Sequence, residues 1–316
     1  MGITTRDLTP DDADVLAALM TRVEADHPTQ FCLAAGEIRE IMEGQRDSVF
    51  DGAFDGDDLV GFTTLLPGRA HAAGHKFILF GDVDPARLGQ GIGTLMLHRA
   101  LDTGRQVHRS VAPDVGARYV SAALEGRDDQ VDLLRNAGFE PGRHSFFMVA
   151  DLSRPVPAPD LPPDLVVEPF DPARAEELRL AHDDAFADYP EFTGTGEEFW
   201  NTFMVTAAHS RHDLSAVART TSGDVAGYVY AHEYAGAPSG GSEPEIHVAY
   251  VGTLPAHRGR GLATALLGRV LDLSRESGYQ VASLNVDTAN PTGALGIYER
   301  AGFRQRYRQD SYHLDE

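Results

Sequence analysis

Two glycines alternate with two arginines in "HRGRGLAT", His257 to Thr264, between an extended segment and a helical one. The first turn of a helix presents amide N–H groups that have no partner inside the helix, backed by the positive end of the helix dipole. Gly259 and Gly261 remove the Cβ atoms that would hold an anion away, while Arg258 and Arg260 bring fixed positive charge beside it. Leu262, Ala263 and Thr264 then supply the first amides of the helix. This is the chemistry of a pyrophosphate cradle. Two common phosphate loops are excluded. Gly-Lys-Ser/Thr is absent, and Thr264 stands where a dinucleotide fingerprint requires its last glycine.

Immediately before the turn, "EIHVAYVGT" alternates Glu245, His247, Ala249 and Val251 onto one face of a strand. A carboxylate and an imidazole two residues apart on that face are both candidates to take a proton from a bound substrate, the histidine because it titrates near neutrality. The reading leaves the choice between Glu245 and His247 open.

The elements that position these groups occur twice along the chain. "TTRDLTPDDADVLAALMTRVEADHP" lays over "VVEPFDPARAEELRLAHDDAFADYP", each reading strand, turn, helix. "VDPARLGQGIGTLMLHRALDTGR" lays over "TLPAHRGRGLATALLGRVLDLSR", pairing Pro85 with Pro255, Gly91 with Gly261 and Thr94 with Thr264. "NAGF" before Glu140 repeats as "RAGF" before Arg304. Three landmarks in the same order mean two copies of one fold. "LSRPVPAPDLPPD" between them is too rich in proline for regular structure, which predicts domains at 1–151 and 164–316 joined by a stiff linker over 152–163.

Within the second copy, the strands "LSAVAR", "VAGYVYAHEY" and "EIHVAYVGT" follow one another as hairpins. A helix with Leu262, Leu266, Val270 and Leu273 on one face comes next, and then the strand "YQVASLNVD". Asn290-Pro291 opens a further helix that Gly302 closes. Hairpins followed by a strand-helix-strand crossover predict a mixed α/β (α+β) fold, each copy a mostly antiparallel mixed sheet flanked by helices.

"Arg258-x-x-Gly261-x-Ala263" at a strand-to-helix turn, followed by "Asn290…Tyr298-Glu299-x-x-Gly302-Phe303", resembles the coenzyme A signature of the GNAT acyltransferases. The tandem layout is similar to that of the mycothiol synthase type within that family. The resemblance implies acetyl-CoA as acyl donor and direct attack of an amine on the thioester in the C-terminal copy. It implies that Val251, Gly252 and Thr253 offer backbone to the pantetheine arm, that Arg258 to Thr264 and Asn290 bind the carrier, and that Tyr298 protonates the departing sulfur. The family type carries a carboxylate in this strand where the present chain has His247, a departure that bears on the acceptor. The N-terminal copy keeps Val83, Gly89, Gly91, Gly93 and Thr94 as a possible second CoA site. It has Leu88 where Arg or Gln is expected and Leu134 at the position of Tyr298, so it reads as degenerate. By the same resemblance, the acidic, aromatic stretch Asp183 to Phe203 governs the choice of acceptor.

Composition narrows the partners. With 48 acidic against 27 basic residues, a net charge of −21 repels nucleic acid and anionic membranes. No apolar run reaches the length of a membrane span, and the N-terminus has no basic-then-apolar leader pattern, so the expected location is cytoplasmic. The single cysteine, Cys32, gives no internal disulfide and no metal motif, and no metal is expected. The reading is therefore an N-acetyltransferase of a small-molecule amine, acting as monomer or homodimer. Its alternatives are an acyl-CoA-binding protein without turnover, or a mycothiol-forming enzyme.

Overall fold

A computed structural model describes residues 2–27, 32–45, 47–72, 74–156, 158–189, 192, 194–236, 241–288 and 293–316. The chain forms two compact units, Met1–Ser145 together with Arg308–Glu316, and Phe146–Tyr307.

The first unit runs β1 (Thr4–Asp7), α1 (Ala13–Asp26), α2 (Ala35–Gly44), β2 (Val49–Asp55), β3 (Asp58–Pro67) and β4 (His75–Val83). It continues through α3 (Ile92–Val111), β5 (Ala117–Leu124) and α4 (Asp128–Asn136) into β6 (Glu140–Asp151), whose end belongs to the second unit. The second unit continues with β7 (Leu165–Pro169), α5 (Ala175–Phe186), α6 (Glu197–Trp200), β8 (Ala216–Thr220), β9 (Val225–His232) and β10 (Glu245–Thr253). Then come α7 (Leu262–Glu276), β11 (Val281–Asp287), α8 (Ala294–Arg300) and β12 (Arg304–Asp315). In the first unit the strand order is β1-β2-β3-β4-β5-β12, and in the second β7-β8-β9-β10-β11-β6. The pairs β4/β5 and β10/β11 are parallel, each joined by a helical crossover, and the hairpins before them are antiparallel. This is the expected mixed fold, built twice.

β9 shows why these residues make a central strand. Ala226, Val229 and Ala231 pack with the leucines of α7, whereas Val225, Tyr228 and Tyr230 pack with α5 and Trp200. A strand covered on both faces is apolar throughout, with small side chains toward one helix and rings toward the other. The apolar face predicted for α7 is buried through Leu262, Leu266 and Val270. Gly268 on the same helix lets Ala158 lie against it, since a Cβ there would stand 2.2 Å from that of Ala158. The proline-rich stretch therefore packs along the second unit, with Leu152 and Val156 in its core and Leu161 against it.

The last strand was not legible as it stands. A division at 151 and 164 assigns everything after 164 to one copy, yet Arg308–Glu316 belongs to the first unit and pairs with β5 from Gln309↔Leu124 to Asp315↔Arg118.

Candidate active site

The site grows from a fork in the second unit's sheet. β10 and β11 pair from Glu245↔Val281 to Val248↔Leu284 and then part, although the strands run on to Thr253 and Asp287. The parting coincides with a register shift between Val248 and Tyr250 against β9, a bulge at Ala249. The bulge overturns the simple alternation predicted for this strand. His247 lies on the face of α5, and so does Tyr250, while Val251 packs toward α7. Beyond the bulge, the edge of Val251, Gly252 and Thr253 on the β11 side carries no β11 partner. An extended chain bearing amides can occupy that edge as an added strand would.

Gly252 is required here by packing. A Cβ at this position would sit 2.3 Å from the ring of Tyr228, whose hydroxyl reaches His182 Nδ1 at 2.5 Å.

β10 leads into the glycine turn. Gly259 and Gly261 have φ of 73° and 76°, in the left-handed region that glycine occupies without strain. Ala265 donates the first helical hydrogen bond, to the Gly261 carbonyl at 3.0 Å, so the amides of Leu262, Ala263 and Thr264 precede the ladder. A Cβ built at Gly259 meets nothing within 4 Å, so the turn faces open space there. Both arginines, read from the sequence as cations beside a phosphate, also hold ion pairs within the second unit. Arg258 donates to Asp188 at 2.7 Å, to the Ala185 carbonyl at 3.0 Å and to the Thr253 carbonyl at 3.2 Å, tying the turn to the end of α5. Arg260 pairs with Asp164 and stands 3.4 Å from His257 Nδ1. The free backbone amides and the positive end of the α7 dipole could receive an anion at this turn.

Tyr298 sits on α8, buried beside Phe303 at 6.1 Å between ring centroids. Burial pushes its phenol up to about 12, so it keeps its proton at physiological pH. His247 lies two residues before the bulge, with Nδ1 2.9 Å from Ser283 Oγ on β11. Burial, with a further push from His209, brings its imidazole down to about 4, against the near-neutral value expected from sequence. Glu245 is buried at the start of β10, opposite Val281 and further from the fork. Asn290 lies outside the described residues, and α8 is described from Ala294 with Gly293 as its cap.

The model of the Acetyltransferase (GNAT) family matches residues 17–119 and 176–303, one region in each unit. The chain belongs to the GNAT acetyltransferase family. A mycothiol acetyltransferase from Thermobispora bispora is 30% identical over 254 residues, covering 79% of this chain and 78% of the relative. One from Salinispora arenicola is 29% identical, covering 84% and 90%. Among solved structures, a GCN5-related N-acetyltransferase from Sphaerobacter thermophilus superposes with a TM-score of 0.75 at 24% identity, over 99% of this chain and 95% of the other. A tandem GNAT protein from the clavulanic acid biosynthesis pathway gives 0.73 at 16% identity, covering 99% and 98%. The chain is thus an N-acetyltransferase enzyme with two GNAT regions, and enzymes of this family draw on acyl-CoA.

The two GNAT regions differ where chemistry would occur. In the first unit β4 and β5 also part, pairing only from His75↔Ala117 to Ile78↔Val120, and Gly89 and Gly91 repeat the left-handed turn. A cavity of about 670 Å³ opens there, lined by Val83, Gly89, Gly91, Gly93 and Thr94 among others. Yet β3 and β4 pair without interruption from Gly61↔Val83 to Pro67↔Phe77, so β4 has no bulge. Leu134 occupies the position of Tyr298 and is buried. Asp82 of β4 and Arg127 at the start of α4, 2.9 Å apart and both largely buried, form an ion pair beside the fork.

Several residues at the second fork escaped the sequence reading. Tyr228 and His182 carried only the alternation of a central strand and the amphipathic pattern of a helix. Ser283 gave no signal, because its meaning lies in the register that sets it opposite His247. Trp200, read as part of an acceptor surface, is buried against Tyr230 and His182. Among the described residues no group of His, Cys, Asp and Glu could hold a metal ion, and no helix is long and apolar enough to cross a membrane.

Proposed function

We propose that the protein transfers an acetyl group from acetyl-CoA to the amine of a small molecule, with turnover in the second unit. One observation carries this reading: the bulged, forked strand, the glycine turn and the buried phenol of Tyr298 lie in sequence along one unit, and the first unit lacks the bulge and the phenol. The amides of Gly259 to Thr264 hold the diphosphate of the carrier, and Val251, Gly252 and Thr253 hold its pantetheine arm and polarise the thioester carbonyl. His247 takes the proton of the amine as nitrogen attacks, in preference to Glu245, because it stands nearer the fork. Tyr298 gives a proton to the departing sulfur, which its burial keeps available. The first unit's cavity holds a second carrier molecule without turnover, so the non-catalytic alternative applies to that unit alone.

A finer reading is favoured by the relatives, which bear the name mycothiol acetyltransferase at about 30% identity. It makes the acceptor a cysteinyl glucosaminyl-inositol. The test is an amine panel that includes this acceptor, read by release of the CoA thiol. Tyr298→Phe should lower kcat by about tenfold to a hundredfold with little change in the KM for acetyl-CoA. Full turnover in that variant would defeat the assignment of Tyr298. Silence with the cysteinyl acceptor, alongside turnover of another amine, would defeat the mycothiol reading alone.

A further inference from the structure

His247 does not stand alone on its face of the sheet. The strand registers place His232 of β9, His247 of β10 and Ser283 of β11 side by side. His209, from the segment before β8, packs on His232 with ring centroids 4.5 Å apart and on Tyr234 at 4.9 Å. Tyr234 lies 5.8 Å from His247, and its hydroxyl is 3.1 Å from His232 Nδ1. His209, His232 and Ser283 are all buried. Three imidazoles are thereby gathered into one water-poor cluster behind the fork.

Resting on the reading of His247 as the base, we infer that Ser283, His209 and His232 are positioning residues that act through it. Ser283 Oγ accepts a hydrogen bond from the Nδ1–H of His247, leaving Nε2 as the basic nitrogen, and the two other imidazoles keep a resting proton off the cluster. The reason is electrostatic and geometric. The tautomer of a histidine is set by the hydrogen bond its other nitrogen makes, and like charges a few ångströms apart in a dry site cannot both persist. His232 is driven well below its ordinary value by burial first, then by His209, His247 and His212. His247 is lowered by burial first, then by His209. Among the described residues, other titratable groups near this cluster include Glu245 on the strand of His247, whose charge acts on Arg306 of β12, His212 beside His232, and Tyr234 and Tyr307, the last stacked on Phe147 beside His247. In the reaction the amine N–H bond breaks as the C–N bond forms, the proton passes to His247 Nε2, the C–S bond breaks, and sulfur takes the proton of Tyr298.

Histidine-labelled protein, read by nitrogen-15 NMR of the imidazoles against pH, tests this without substrate. His247 is assigned by the resonance that His247→Gln removes. The expected result is an Nδ1-protonated His247 in the parent protein, lost in Ser283→Ala and kept in Ser283→Thr. Its titration midpoint should rise by at least about half a pH unit in His209→Asn. An Nε2-protonated His247 in the parent overturns the inference, and so does an unmoved midpoint in His209→Asn. Turnover of the amine panel by His247→Gln separates the two layers. Its loss supports His247 as the base whatever the tautomer, and its persistence overturns that reading and the inference built on it.

Discussion

His182 joins a residue's burial to the pH stability of the whole unit. Its ring is closed in by Phe186, Phe192, Trp200 and Tyr250, and Nδ1 meets the Tyr228 hydroxyl at 2.5 Å. Burial first, and the charge of Arg179 second, bring its imidazole down to about 4. The unfolded chain takes up a proton near pH 6.5, the folded chain only near 4, so between these values the unfolded state binds more protons. Stability then rises with pH across that window and is level above it. Taken alone, this buried ring costs about 3 kcal/mol of stability by pH 4. Urea unfolding midpoints at several values from pH 7.5 to pH 4.5 should fall toward acid. His182→Phe should flatten that slope, and an unchanged slope would exclude this ring as its source.

At the scale of the element, the crossover from β10 through the turn into α7 holds both of the binding surfaces proposed for the second unit. Gly261 caps the helix with φ of 76°, where an L side chain is strained. Gly261→Ala should cost about 1 kcal/mol in stability, seen as a lower thermal midpoint. It should also weaken binding of acetyl-CoA by calorimetry, because the turn can relieve its strain only by moving the amides of Leu262 to Thr264. Equal affinity in that variant would mean the carrier's diphosphate lies elsewhere. Arg258 supports the same turn from outside, through α5, so its loss acts on the position of the turn as well as on charge.

At the scale of the molecule, the first unit depends on the end of the chain. Arg308–Glu316 pairs along β5, Tyr312 is buried in that unit's core, and Glu316 meets Arg105 at 2.5 Å while Arg118 meets Asp315 at 2.6 Å. Ending the chain after Tyr307 should therefore strip protection from the amides of Ala117–Leu124 in hydrogen exchange while those of Val281–Val286 stay slow. Uniform protection in both strands would show that the first unit holds its sheet without the segment.

The mixed sheet and the glycine turn were legible in the sequence because each rests on local signals, glycine before a helix and apolar spacing along α7; the repeat was legible because its landmarks recur in the same order, and Tyr298 came from the family resemblance. The local signals depend on residues within a turn or two of one another. The rest depends on which strands lie side by side. Only the tertiary structure put a bulge at Ala249 and so turned Tyr250 to the face of His247 and Val251 away from it. It alone paired Arg258 with Asp188, set Ser283 opposite His247, buried that histidine beside His209 and so lowered its basicity, and gave the chain's last strand to the first unit. Register and burial are sums over distant neighbours, and a linear reading of residue types contains no term for them.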